Sequence, residues 1–209
     1  MDKAIVNDFQ HQVKNINAAL ARLQNAERKG IRLRSRLKLW SEFIRIRDGN
    51  RCVPCGETKG ISAHHICRKS FMPEMQLMTG NGISLCPRCH KEAHEGFNGR
   101  PNLQLPMDAQ GGEKIEIMTD LYGELCWDAK ERGLLCDDYY FLSDLVLSKF
   151  KMFQGFDPFT HFPGHCIEQA HLIWRQTPLN VKNAILEANG CPPSYEPVLP
   201  GVTIRTIQG

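Results

Sequence analysis

The sequence predicts an α+β protein that is mostly helical, with one small unit of two strands and a helix between longer helical segments. Apolar residues recur at spacings of three and four along the first quarter of the chain and through much of its second half, which is the helical period. After the first of two cysteine pairs the pattern changes to two short strands, at about residues 61–66 and 82–86. A helix at about residues 87–95 follows them and begins within the second cysteine pair.

Two amphipathic helices are predicted to begin the chain. The apolar spacing places the first helix over residues 3–28, and Gly30 is expected to end it. A second helix with the same spacing leads to a turn at residues 48–50. The apolar seams are formed by Ile5, Phe9, Val13, Ile16, Leu20 and Leu23 in the first helix and by Leu33, Leu37, Trp40 and Ile44 in the second. We assign residues 1–48 to these basic N-terminal helices.

Charge is distributed unevenly along the chain. Residues 1–100 hold 18 Lys and Arg against 9 Asp and Glu, a net +9, whereas residues 101–209 hold 8 against 14, a net −6. Within the basic half, residues 28–47 carry eight basic side chains and one acidic residue, Glu42. Such a stripe attracts nucleic-acid phosphates through counterion release. A solvated helix face is the alternative. The acidic half would suit either binding of a protein partner or restraint of the basic half.

Two CxxC pairs predict a structural zinc site. Each pair can place two thiolates on one tetrahedral zinc ion, and the four residues are Cys52, Cys55, Cys86 and Cys89. A unit of roughly 40 residues buries too little core to be stable alone, so a stabilising metal is physically expected. The other five cysteines show no disulfide framework spacing, which favours a reducing compartment.

Histidines offer a second set of metal ligands. His64 and His65 are neighbours on the first predicted strand, so their side chains point to opposite faces of it. One of them can bind a metal while the other stays free to accept a proton. His90 and His94 are four residues apart on the predicted helix and share one of its faces. These imidazoles predict a metal site that keeps open positions for water and phosphate.

The order of these residues resembles the HNH nuclease family. The ββα-metal motif of that family has a His on its first strand, an Asn in the following loop and a His on its helix, which match His65, Asn81 and His90. Flanking CxxC pairs are found in many phage and bacterial members. The resemblance covers residues 43–97 and implies a metal-dependent endonuclease. Its implied fold is a ββα-metal core with a four-cysteine zinc site, flanked by N-terminal helices and a C-terminal helical region.

The resemblance also implies the roles of the site residues. His64, His90 and His94 would hold a catalytic divalent metal, and His65, with an unperturbed pKa of about 6.5, would be the general base. Asn81 would brace the loop and hold that imidazole in orientation. Many relatives have Asp where this chain has His64, although the DNase colicins share the His-His version. Imidazole ligands favour Zn, Ni or Co over Mg, so Mg2+, Mn2+, Ni2+ and Zn2+ all stay open as the catalytic metal.

Each of these residues also has a purely structural interpretation. The three imidazole ligands could complete a second structural zinc site, His65 could be a core histidine, and Asn81 could be only a turn residue. The alternative to an endonuclease is therefore a non-catalytic, zinc-stabilised module that binds nucleic acid or a protein. Inside the motif, the basic residues expected to contact phosphate are Arg68, Lys69, Arg88 and Lys91.

The rest of the chain is predicted to be helical. Residues 96–112, rich in Gly, Pro and Asn, mark the clearest boundary. We place the nuclease motif at residues 49–97, a linker at 98–112, the helical C-terminal region at 113–190 and an extended tail at 191–209. Helices are expected at about residues 113–133, 138–153, 165–175 and 178–189.

The sequence holds no apolar run of transmembrane length, and its first ten residues are polar and amphipathic. We therefore expect a cytoplasmic protein of a bacterium or of a phage-infected cell. Nucleic acid, with DNA favoured, is the expected partner and a membrane is not. A homodimer would fit the regular apolar seam of the first helix, and a regulatory protein partner would fit the charge pattern.

Overall fold

The computed structural model describes residues 3–69, 71–94 and 115–180, together with residues 183 and 187. Within these residues the chain forms six α-helices and one two-stranded antiparallel sheet, which confirms the mostly helical α+β class. The helices are α1 Lys3–Arg28, α2 Leu33–Arg47, α3 Pro87–His94, α4 Ile115–Glu131, α5 Asp144–Phe153 and α6 Cys166–Arg175. The strands are β1 Ser62–His65 and β2 Gly82–Leu85. The predicted linker at 98–112 and the tail at 191–209 lie outside the described residues.

The two N-terminal helices pack along their predicted seams. Five of the seam residues are buried, namely Ile16, Leu20, Leu23, Trp40 and Ile44. Phe9 and Leu33 are exceptions, because 43% and 39% of them are exposed. The chain leaves α1 through Gly30, whose φ of +59° lies in the left-handed region that glycine tolerates. The N–H of Ile31 then donates to the carbonyl oxygen of Ala26 at 3.0 Å, which closes the helix end as expected.

The β-hairpin lies against α2. His64 pairs with Ile83 and His65 pairs with Gly82 across the two antiparallel strands. All four residues of β2 are buried, whereas β1 is buried fully only at His64. The connection between the strands contains two short 3-10 turns, Pro73–Met75 and Thr79–Asn81. The hairpin therefore presents its two adjacent histidines between α2 and α3.

A fully buried ion pair joins the end of α2 to the hairpin. Arg47 Nε donates to Asp48 Oδ1 at 2.7 Å, and both side chains are inaccessible to solvent. The Arg47 guanidinium also donates to the carbonyl oxygens of Thr79 at 2.7 Å and Gly82 at 2.6 Å. Asp48 Oδ2 accepts from the N–H of Ser84 at 2.8 Å. Arg47, counted in the basic stripe of the sequence, is therefore a core residue and cannot contact a phosphate.

The C-terminal helices share one hydrophobic core with the N-terminal half. The core cluster runs continuously from α1 and α2 through the hairpin to α4, α5 and α6. Ion pairs between Arg51 and Asp128 and between Lys149 and Glu74 also join the basic and acidic halves.

One predicted helix boundary in this half is wrong. The helix expected at 138–153 begins only at Asp144, because residues 138–143 form a turn and a short extended segment. Ser143 caps the helix, and its side chain accepts from the N–H of Val146 at 3.4 Å. Most of the helix expected at 178–189 lies outside the described residues. Among the helices that the structure describes, none combines the length and the apolar character needed to cross a membrane.

Candidate functional site

The four cysteines of the two CxxC pairs converge on one point. The Sγ atoms of Cys52, Cys55, Cys86 and Cys89 all lie within 4.8 Å of one another. Cys55 Sγ and Cys86 Sγ are 3.7 Å apart, far longer than a disulfide bond of about 2.05 Å. Two thiolates on a tetrahedral zinc with Zn–S bonds of about 2.3 Å are separated by about 3.8 Å. The cluster is therefore compatible with the predicted structural zinc.

Local backbone hydrogen bonds shape the first cysteine pair into a tight turn. The N–H of Cys52 donates to the carbonyl oxygen of Glu57 at 2.7 Å, and the N–H of Gly56 donates to that of Cys52 at 2.8 Å. Gly56 has a φ of +75°, which glycine adopts at little cost. A backbone hydrogen bond from Glu57 lowers the pKa of Cys55 to about 7, which favours the thiolate that binds metal.

Three histidines form a second cluster beside the cysteines. One ring nitrogen from each of His64, His90 and His94 lies within 4.8 Å of the others. The Nε2 atoms of His90 and His94 are 3.2 Å apart, close to the separation of about 3.3 Å expected for two imidazoles on a tetrahedral ion with metal–nitrogen bonds of about 2.0 Å. The sequence-predicted ligands are thus brought together, and they could hold one divalent ion.

The environment of His64 keeps its imidazole neutral. Burial, followed by the neighbouring His90 and His94, lowers the pKa of His64 to about 3. Burial also lowers the pKa of His94. A neutral imidazole has the lone pair that a metal requires, whereas a protonated imidazole has none. The cluster is consequently ready to bind a cation at neutral pH.

His65 lies on the opposite side of β1 from His64, as the strand geometry predicts. Its ring is stacked on the indole of Trp40, with the ring centroids 4.0 Å apart and the planes inclined by 7°. His65 Nε2 lies 3.0 Å from the carbonyl oxygen of Gln76. A carbonyl can only accept, so Nε2 carries the hydrogen, and Nδ1 of the neutral ring keeps its lone pair. Burial lowers the pKa of His65, although the hydrogen bond to Gln76 partly opposes this shift.

Asn81 is fully buried and braces the loop between the strands. Its Oδ1 accepts from the N–H of Cys67 at 2.8 Å, and its Nδ2 donates to the carbonyl oxygens of Cys67 at 2.9 Å and Met75 at 3.3 Å. The carbonyl oxygen that contacts the His65 imidazole belongs to Gln76, the residue after Met75. Asn81 thus braces the loop segment that contacts His65, and its role in orienting that imidazole stays a prediction.

Sequence reasoning missed both residues that contact the His65 ring. Trp40 was assigned only to the apolar seam of α2, and a tryptophan in that register gives no further signal. Gln76 contributes a backbone carbonyl, which every residue has, so no side-chain pattern could have identified it. Both contacts depend on tertiary packing of α2 and of the loop against β1.

The basic residues of the motif have different surroundings. Lys69, Arg88 and Lys91 are exposed, whereas Arg68 is half-buried. A hydrogen bond to the Cys55 thiol raises the pKa of Arg88, which places the Arg88 guanidinium beside the cysteine cluster. The positive charge of Arg68 contributes to lowering the pKa of both His64 and His94, so Arg68 lies near the three-histidine cluster.

A third group of potential ligands lies at the start of α6. The ligand atoms of Asp137, His165 and Cys166 lie within 4.8 Å of one another. Cys166 Sγ donates to the carbonyl oxygen of Tyr140 at 2.8 Å, and His165 Nδ1 caps α6 by accepting from the N–H of Ile167 at 3.5 Å. Because Cys166 Sγ and His165 Nδ1 already make hydrogen bonds with backbone groups, we interpret this group as a set of structural contacts between residues 136–142 and α6.

Comparisons of the chain with protein-family models, with curated proteins and with solved structures find no match. The family resemblance therefore depends on the motif and on the geometry described above.

Proposed function

We propose that this chain is a metal-dependent HNH endonuclease that hydrolyses phosphodiester bonds of nucleic acid, with DNA as the favoured substrate. One observation carries the proposal: three imidazoles converge on one point, while the adjacent His65 bonds the Gln76 carbonyl through Nε2 and so keeps the lone pair on Nδ1. A purely structural metal site has no need of that fourth imidazole. His64 and His65 are adjacent in β1, so one phosphodiester would have to reach both a metal held by His64 and the base His65.

The roles of the metal ion and of His65 follow from the chemistry of phosphodiester hydrolysis. A divalent ion bound to His64, His90 and His94 would neutralise negative charge on the scissile phosphate and on the departing oxygen. His65 Nδ1 would accept a proton from the attacking water. The Gln76 carbonyl supports this step because it keeps the ring hydrogen on Nε2. The four-cysteine cluster would hold α3, and with it His90 and His94, against the end of β2.

Charge on the surface supports a polyanionic substrate. Lys69 and Lys91 are exposed within the motif, and Arg68 lies near the three-histidine cluster. Along α2, Arg34 and Lys38 are exposed on the same basic stripe. Cations on these elements would draw the phosphate backbone toward the hairpin.

The test is cleavage of supercoiled plasmid and of a structured RNA in the presence of Mg2+, Mn2+, Ni2+ or Zn2+. We expect the wild type to cleave, and His65→Ala to lose about 100-fold or more of the rate, as is typical when a general base is removed. His161→Ala removes an exposed imidazole outside the site and is the matched control, which should cleave normally. Zinc content and thermal stability are measured for all three proteins.

Two results would contradict the proposal. Equal cleavage by wild type and His65→Ala would remove that imidazole from the mechanism. Binding of nucleic acid without cleavage under any of the four metals would instead indicate the non-catalytic zinc-stabilised module.

A further inference from the structure

The indole of Trp40 covers one whole face of the His65 imidazole. The stack is parallel, with a 4.0 Å centroid separation, and Trp40 is only 2% exposed. In a closely packed interior the imidazole cannot tilt about its side-chain torsion without displacing the larger ring. The orientation of His65 is therefore set from the side of α2 as well as from its own strand.

The same loop holds both rings at their edges. Trp40 Nε1–H donates to the carbonyl oxygen of Met78 at 3.1 Å. Two residues earlier in the loop, the carbonyl oxygen of Gln76 accepts from His65 Nε2 at 3.0 Å. The two hydrogen bonds and the stack form a closed set of contacts, so a shift of the indole would be transmitted to the imidazole.

Gly82 provides the room for this arrangement. It pairs directly with His65 across the hairpin. A Cβ atom at Gly82 would lie 2.6 Å from Trp40 Cζ2, much closer than the roughly 3.5–4.0 Å of an ordinary carbon contact. The missing side chain thus lets α2 approach the hairpin at the level of His65. The stack is produced by tertiary packing of α2 against both strands and the loop.

We propose that Trp40 is a positioning residue for the general base, acting through His65 on the proposed nuclease reaction, on which this inference rests. Without the indole, His65 would keep only the hydrogen bond at Nε2 and could tilt about it. Misplacement of a catalytic group by about 1 Å costs on the order of 100-fold in rate. The loss should appear in kcat, because the indole is directed at the base and away from solvent.

The kinetic test compares Trp40→Leu with Trp40→Phe in the full chain. We expect Trp40→Leu to lower kcat by about 100-fold with KM and metal affinity unchanged, and Trp40→Phe, which restores an aromatic face, to recover most of the rate. Trp174→Leu is the matched control, since Trp174 on α6 is equally buried but packs against Phe150 of α5. Equal losses in Trp40→Leu and Trp174→Leu, or no loss in Trp40→Leu, would overturn the proposal.

A second readout separates this inference from the nuclease function itself. In the zinc-loaded, 15N-labelled protein, two-bond proton–nitrogen correlations should show His65 as the Nε2–H tautomer. Its ring protons should be shifted upfield by the indole ring current, and Trp40→Leu should remove that shift while Trp174→Leu should not. An Nδ1–H tautomer or unshifted ring protons in the wild type would refute the positioning role. If these signals appear and no nucleic acid is cleaved, the nuclease proposal alone has failed.

Discussion

Replacing Arg47 by methionine should strongly destabilise the fold. Arg47 makes four hydrogen bonds, one to Asp48 and three to backbone carbonyl oxygens of Thr79, Gly82 and Tyr139. Its guanidinium carbon also lies 4.3 Å from the centre of the Tyr140 ring. Methionine fills similar volume but leaves the Asp48 carboxylate buried without its cation.

The magnitude follows from the burial of both partners. Removing one member of a buried ion pair costs about 3–5 kcal/mol, because the remaining charge is left uncompensated. For a chain of this size, 1 kcal/mol shifts Tm by about 2–4 °C. We therefore expect Arg47→Met to lower Tm by roughly 6–20 °C. Arg34→Met, an exposed change on the same helix, should leave Tm unchanged and is the control.

The assay is thermal and urea unfolding of Arg47→Met, Asp48→Asn and the double variant, with zinc content held constant. The double variant should be less destabilised than the sum of the two single variants, since it leaves no unpaired buried charge. The expected shift is well above about 2 °C. A Tm for Arg47→Met within about 2 °C of the wild-type Tm would therefore refute the reasoning. Strict additivity of the two single changes would refute the coupling.

Three further perturbations follow from the site. Cys86→Ser should lower the zinc content measured by elemental analysis by about one ion per chain relative to wild type and lower Tm, whereas Cys126→Ser, a buried thiol outside the cluster, should keep the wild-type zinc content. Asn81→Ala should cost about 1–3 kcal/mol and speed amide exchange in residues 66–81, because the buried amide joins both ends of that loop. Gly82→Ala should cost about 1–3 kcal/mol in urea unfolding, since its Cβ would meet α2 side chains at 2.6 Å.

Each of these expectations has a contrary outcome. A zinc content in Cys86→Ser equal to that of wild type would mean that the four cysteines do not hold the ion. Unchanged amide exchange across the loop in Asn81→Ala would show that other contacts hold it closed. A Gly82→Ala protein as stable as wild type would mean that α2 can withdraw from the hairpin without loss.

Local sequence patterns account for much of the fold. The helical period of α1 and α2, the glycine that ends α1 and the short hairpin are properties of segments shorter than 30 residues. The expected start of the helix at 138 failed because residues 138–143 are held by contacts with α2 and the loop. The carbonyl oxygen of Tyr139, for example, accepts a hydrogen bond from Arg47, which lies 92 residues earlier in the chain. Sequence periodicity carries no information about such distant acceptors.

The sequence alone indicates which residues can be ligands, because the spacing within each CxxC pair and between His90 and His94 is a local geometric property. It also predicts that His64 and His65 face opposite sides of one strand, because the side-chain period of a strand is two residues. Tertiary packing is what brings the candidate ligands of β1 and α3 together, buries Arg47, and places Trp40 and the Gln76 carbonyl against His65. These contacts join segments far apart in the chain, and close packing of the whole core brings them together.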